Sequence, residues 1–175
     1  AIIIALSMGR LRMKELTRAL VNSSKTSCMV LLLMFGGAIF SYVVTYLGVP
    51  DMIMSMIAQH DLNRWVVLSI LLLILLILGM VVDPLSVLML SMPFMFPTAV
   101  GMGFDPIWFG IVVTVLVEIG MITPPIGMNL FVLKGVSPDL DFVEDITKGA
   151  IPFVLVLIAF VFILCLFPGL TSVLL

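Results

Sequence analysis

Long uncharged apolar runs alternate along the chain with short polar or Gly/Pro-rich interruptions, and the spacing of those interruptions predicts the elements. From Thr26 to Leu47 no residue is charged, and Gly48-Val49-Pro50-Asp51 closes the run. A helix needs roughly 20 residues to cross a hydrocarbon core of about 30 Å, so the pattern predicts a transmembrane helix over 26–50, softened at Gly36-Gly37. Ahead of it, Arg10, Arg12, Lys14 and Arg18 surround a Leu16/Leu20 stripe. That arrangement suits an amphipathic arm helix over 1–25, with its lead-in, lying among lipid headgroups; an ordinary cytoplasmic loop helix fits the same residues. The apolar stretch 65–100 is interrupted by Gly79-Met80-Val81-Val82-Asp83-Pro84. Gly ends helices, Asp caps free amides and Pro suits the first helical position, so one arm stops and another starts there. Arms of about 14 residues, near 21 Å, are short for full crossings, which favours a re-entrant hairpin over two spans.

Asp105-Pro106 starts another helix by the same chemistry, and Thr123-Pro124-Pro125 breaks it, because two adjacent prolines remove two amide donors. The pattern predicts a broken transmembrane helix over 105–136, with Thr123 capping its second half. The Asp51 to Arg64 and Lys134 to Gly149 segments read as polar connections, and Pro152 opens a C-terminal transmembrane helix over 150–172. Counting from Trp65 to Gly79 and from Trp108 to Thr123 puts each break about 21 to 23 Å below its tryptophan. With about 6 Å of interface subtracted, both breaks fall near the bilayer midplane, where they can meet.

Composition agrees: 63% of the 175 residues are hydrophobic and 10% charged, with a mean hydropathy of +1.38. Soluble domains carry about 25% charged residues, so a soluble globular protein is excluded, as is a single-pass anchor. The net charge of -2 offers no basic surface to nucleic acid. Placing the basic first segment in the cytoplasm, and the C-terminus in the periplasm, puts every cation except Arg64 inside. Cys28 and Cys165 read as small buried hydrophobes and His60 as a solvated loop residue. No catalytic residue and no enzyme activity is expected. The chain begins Ala-Ile-Ile-Ile and reads as a piece of a longer polypeptide or one half of a split one.

The breaks carry the candidate chemistry. Unpaired backbone in hydrocarbon costs several kcal/mol, so it persists only where protein or a wet cavity satisfies it. Carbonyls ending a half-helix, at 79–82 and 120–123, suit a small cation; amides opening the next, at 83–84 and 123–127, suit an anion. Gly and Pro kinking two packed spans is the plainer alternative. Asp83 and Glu118 are the only acids within the long apolar segments, where an ionisable group costs at least about 2.5 kcal/mol and calls for a partner or a role. For Asp83, capping and ion ligation are both open; for Glu118, a structural polar contact and cation coupling; for Asn129, a bond to freed backbone or to substrate. An intramembrane aspartyl protease needs two cooperating carboxylates, and Asp83 alone lies deep.

Taken together, Gly-Met-Val-Val-Asp-Pro (79–84), Gly-Phe-Asp-Pro-Ile-Trp-Phe-Gly (103–110) and Glu-Ile-Gly-Met-Ile-Thr-Pro-Pro-Ile-Gly-Met-Asn-Leu-Phe-Val-Leu-Lys-Gly-Val (118–136) carry a resemblance. The chain closely resembles, over nearly its whole length, the C-terminal half of the large membrane (permease) subunit of tripartite ATP-independent periplasmic (TRAP) transporters. The resemblance implies an all-α polytopic membrane protein, the second repeat of an inverted-repeat elevator fold of the ion-transporter superfamily. It implies a secondary transporter in a bacterial inner membrane, coupled to a cation, usually sodium, with no other cofactor. Implied partners are a periplasmic binding protein delivering an organic acid such as a C4-dicarboxylate or sialic acid, a small membrane subunit, the remaining N-terminal half and the bilayer. Carried onto this chain, the sodium candidates are Gly79, Asp83, Thr123, Pro124 and Gly127. Thr123, Pro125 and Asn129 would lie near substrate, and Glu118 would be a coupling or structural acid. Another anion symporter of the superfamily, or a channel or structural subunit, are the competing readings.

Overall fold

The computed structural model describes residues 13–171. Those residues are helical, with no strand among them: α1 (Met13–Tyr46), α2 (Val49–Gln59), α3 (Arg64–Gly79), α4 (Pro84–Gly101), α5 (Pro106–Met121), α6 (Met128–Val136) and α7 (Lys148–Leu166). A π-helical turn at Phe142–Thr147 leads into α7, and a 3₁₀ turn follows it at Pro168–Leu170. Three helical stretches are long and apolar enough to cross a membrane: Met13–Tyr46, Pro84–Gly101 and Phe142–Leu166.

Local chemistry sets most boundaries. Asn63, Asp83 and Asp105 each stand in extended backbone and accept a hydrogen bond from an amide of the first turn of α3, α4 and α5. Pro84 and Pro106 follow at the first helical position, where a missing amide costs nothing. α3 and α4 are the two arms on either side of the 80–83 interruption. Trp65, at the start of α3, packs edge-on against Phe104, just past the end of α4, so the arms run antiparallel. Trp65 also meets Trp108 edge-on at 6.1 Å between ring centroids. α3 and α5 therefore start at one level and run parallel, and this is the premise on which the counted depths of the two breaks depend.

The core lies between α3, α4 and α5, with Leu68, Leu75, Val87, Met95, Phe109 and Val112 among its buried side chains. α7 is fastened to it by the buried Trp108 indole, whose Nε1 donates to Leu164 O at 2.7 Å. α1 reaches it at Gly37, where an added Cβ would lie 2.9 Å from Met89 Sδ of α4. Elsewhere α1 and α7 expose large hydrophobic side chains, such as Phe35, Leu155 and Phe162. Acyl chains are as apolar as leucine, so the hydrophobic effect does not hold such helices together in a bilayer; close packing and polar bonds do.

Three boundaries differ from the sequence-based expectation. No break separates an arm at 1–25 from a span at 26–50: one helix runs from Met13 to Tyr46, straight through Gly36-Gly37. Neither Gly nor Pro stands between residues 13 and 35 to stop it, and the Thr17 and Thr26 hydroxyls fold back onto the carbonyls of Met13 and Asn22. The part of the expected arm at 1–12 lies outside the described residues. The helix ends instead at left-handed Gly48 (φ 65°), and Pro50 helps start α2 in what reads as a polar connection. Likewise, α7 begins at Lys148 rather than at Pro152. The turn before it is organised by Asp141, whose Oδ1 accepts from the amides of Val143 and Glu144.

Candidate functional site

The two interruptions meet. α3 stops at Gly79 and α5 at Met121, and their ends touch through glycine backbones. A Cβ built on Gly120 would lie 2.7 Å from Gly79 C and 2.9 Å from Gly79 O, whereas one built on Gly79 finds its nearest atom, Gly120 Cα, at 3.7 Å. Both glycines are buried. A hydrogen bond then joins the loops, the Gly127 amide donating to Met80 O at 3.3 Å. Two helix C-terminal ends, from α3 and α5, thus converge beside two N-terminal ends, those of α4 and α6.

Each candidate residue has a definite place in this junction. Asp83 is half-buried, and its Oδ2 accepts from the Ser86 amide at 2.9 Å, so the carboxylate caps α4. Gly127 is buried with φ 54°, a left-handed backbone that suits Gly, and a Cβ there would sit 3.0 Å from Thr123 O. Pro124, Pro125 and Asn129 are exposed, the prolines forming the outer side of the turn. Asn129 lines, with Asp145, an otherwise apolar cavity of about 620 Å³ between the break, α6 and α7. Glu118 is exposed on α5 and makes no hydrogen bond or ion pair with the other candidates.

Thr123 departs from its expected role. Its hydroxyl donates backwards to Ile119 O, finishing α5 rather than capping the second half-helix. That half starts at Met128 with Gly127 as its cap. The reason is steric: a residue preceding proline is driven out of the α region, which applies to Thr123 before Pro124 and again to Pro124 before Pro125. Helix can resume only beyond the pair. The prolines also leave carbonyls without donors: in a continuous helix the amides of residues 124 and 125 would serve Gly120 O and Met121 O. Gly120 O is served instead by the Thr123 amide at 3.2 Å, and among the described residues no backbone amide outside the helices serves Met121 O or Gly79 O. Carbonyl oxygens of this kind are hard ligands of the sort an alkali cation accepts. Gly120 and Met80 O fall within the carbonyl stretches 79–82 and 120–123 expected from the sequence, but their packing and hydrogen-bonding roles at the junction are tertiary. Gly120 stands one residue before the end of α5, as Gly79 ends α3.

Three apolar helical stretches of membrane-crossing length, beside two shorter apolar helices that stop where their ends meet, define a polytopic helical membrane protein built around paired discontinuous elements. Residues 1–170 match the family described as the tripartite ATP-independent periplasmic transporter, DctM component, and the chain belongs to that family. It is 30% identical, over 92% of its length, to the C4-dicarboxylate TRAP transporter large permease protein of Rhodobacter capsulatus. It is 32% identical, over 91%, to the sialic acid TRAP transporter large permease protein of Vibrio cholerae. With the 2,3-diketo-L-gulonate TRAP transporter large permease protein of Escherichia coli K12 the identity is 30% over 89% of the chain. In each case the match takes in 36% of the relative, so the chain spans little more than a third of the curated relatives' length. These relatives are transporter permeases, not enzymes.

Proposed function

We propose that this chain supplies the second-repeat hairpin and broken helix of a sodium-coupled TRAP permease that imports an organic acid by an elevator movement. A periplasmic binding protein delivers the acid, the small membrane subunit braces the permease, and the rest of the large subunit completes the site. The single observation that supports this reading best is the junction itself: donor-free carbonyls at Gly79 and Met121 beside the capped start of α4 and the Gly127 turn that opens α6.

In this reading sodium is cargo held by carbonyl oxygens of the 79–80 and 121–123 segments. Asp83 supports them by holding the first turn of α4, and Thr123 by finishing α5. The positive ends of α4 and α6 face the substrate carboxylate, with Asn129 and Pro125 at the margin. The α3–α4 unit is a re-entrant hairpin whose tip lies at the midplane. The basic N-terminal segment is cytoplasmic and the C-terminus periplasmic, in an inner membrane. The substrate is an organic anion of the size of a C4-dicarboxylate or sialic acid, the kinds named for the relatives.

The test is uptake by the complete permease, small subunit and binding protein in proteoliposomes under a sodium gradient. Asp83→Ala and Thr123→Ala should each lower uptake at limiting sodium by at least several-fold and raise the sodium concentration giving half-maximal rate. Unchanged uptake and sodium dependence in both would remove these residues from the mechanism, and uptake indifferent to sodium would remove the coupling ion.

A further inference from the structure

Among the described residues α5 is the most enclosed helix, with Trp108, Phe109, Val112, Val113, Leu116 and Val117 all buried against its neighbours. One stripe is left open. Gly110, Thr114 and Glu118 recur every fourth residue, which places them one above another on a helix, and all three are exposed. An added Cβ at Gly110 would meet nothing within 4 Å. Thr114 has turned its hydroxyl back onto Gly110 O at 2.9 Å, so its own polarity is answered within the helix. Glu118 has no such answer: the one salt bridge among the described residues joins Lys148 to Glu144. The hairpin and the broken helix do not provide one: no Lys, Arg or His occurs between Arg64 and Lys134, Arg64 lies over the Trp65 and Phe104 rings, and Lys134 Nζ donates to Pro138 O and Leu140 O.

Depth sharpens the problem. Glu118 lies ten residues beyond Trp108, about 15 Å along the helix and so about 9 Å inside the hydrocarbon once the interface is subtracted. Its short side chain does not reach headgroups from there as a lysine would. An acid facing acyl chains is costly, and such residues pair with a partner or line a wet path. Gly110 and Thr114 distinguish the two outcomes, since small residues four apart are what allow a second helix to approach closely.

We propose that this stripe is the seat of another membrane helix of the same permease, from the part outside this chain, and that this helix presents a cationic or amide donor to Glu118. There is ample protein to provide it, because the chain accounts for only 36% of its relatives' length. The proposal rests on family membership alone and not on sodium coupling or the elevator movement.

The experiment uses the full-length permease with its small subunit in lipid nanodiscs. Nitroxide labels are placed singly at Gly110→Cys, Thr114→Cys and Glu118→Cys, and collision rates with oxygen, which partitions into acyl chains, and with a water-soluble nickel chelate are compared with those at lipid-facing and water-facing reference positions. Low rates with both reagents are expected. Oxygen access equal to the lipid-facing reference, or nickel access equal to the water-facing one, overturns the proposal. In parallel, unlabelled Glu118→Gln, Glu118→Leu and Glu118→Lys are compared by melting temperature. Gln should stay closest to the parent and Lys should fall furthest, because it opposes a donor. If Lys is tolerated as well as Leu, the donor opposite Glu118 does not exist. Where a bulky label blocks assembly, this charge series decides the matter.

Discussion

Gly120→Ala and Gly79→Ala are the same chemical change at two glycines that touch, yet they should behave differently. At Gly120 the new methyl group would lie 2.7 Å from Gly79 C, a backbone atom that cannot rotate away. Bringing that contact to the ordinary 3.4 Å separates α3 from α5 by about 0.7 Å. The Gly127 amide to Met80 O bond, already long at 3.3 Å, has little margin for a displacement of that size. Overpacking costs about 1 to 3 kcal/mol and the lost hydrogen bond about 1 more, against a helix-propensity gain for alanine of about 1 kcal/mol or less. The net loss is about 1 to 3 kcal/mol, and it falls on the junction. At Gly79 the methyl group would find Gly120 Cα at 3.7 Å, normal contact distance, so the propensity gain stands nearly unopposed. The assay is melting temperature of the purified permease, read from intrinsic tryptophan fluorescence, together with sodium-gradient uptake. Gly120→Ala should melt lower and transport more slowly than the parent, while Gly79→Ala should do neither. Equal behaviour of the two, or the reverse order, would refute the packing argument.

Three further outcomes follow from individual bonds. Trp108→Phe keeps the ring in the core but leaves Leu164 O without the indole donor it meets at 2.7 Å; the same melting assay should register a loss of about 1 to 3 kcal/mol and earlier detachment of α7. Asp105 accepts from the amides of Ile107 and Trp108, so Asp105→Ala should destabilise by about 1 kcal/mol while Asp105→Asn, an equally good cap, stays within a few tenths. The amides of Glu144 and Val143 hold the Asp141 carboxyl below the usual aspartate value of 3.8. A lowered folded pKa contributes stability that is present above 3.8 and lost as pH falls below it through the folded value. Amide protection factors across 142–147, with the intrinsic pH dependence of exchange divided out, should therefore be steady at neutral pH and fall below about pH 4, and in Asp141→Asn the acid-side change should vanish.

How far the sequence reveals this architecture depends on whether local or tertiary chemistry sets each feature. Asp83-Pro84 and Asp105-Pro106 announce helix starts because cap and proline act within one turn, and the structure places α4 and α5 where those pairs stand. The meeting of the breaks was legible because Trp65 and Trp108 anchor parallel helices at one level, and counting residues down each measures a common depth. The start of α6 was misread because the effect of Pro125 on Pro124 had to be applied as well as that of Pro124 on Thr123. α2 was hidden because Asp51, His60 and Asp61 lend the 51–64 segment a polar look, while Ile57 packs on the core and Met54 lies against Gly101. No local rule reports that packing. The Gly79 to Gly120 contact is tertiary as well: sequence shows two glycines at helix ends, and only their juxtaposition shows which of them tolerates a side chain.

The asymmetry of that contact bears on how the junction moves. α3 and α5 are joined by a backbone contact and by the Gly127 to Met80 bond, so the end of the first hairpin arm and the proline turn behave as one body. α4 is differently attached: it follows a short non-helical link at 80–83, is held at its start by the Asp83 cap, and rests on α1 where Gly37 meets Met89. Its contact with α1 is extensive, and at Gly37 it runs through the Met89 side chain. A ligand that gathers carbonyls from both breaks stiffens a pair already joined, and the short non-helical link at 80–83 is the part of the tip outside that pair. Under the sodium-coupled reading proposed above, a cation held by carbonyls of that joined pair would act on the neighbouring capped start of α4 through the 80–83 link.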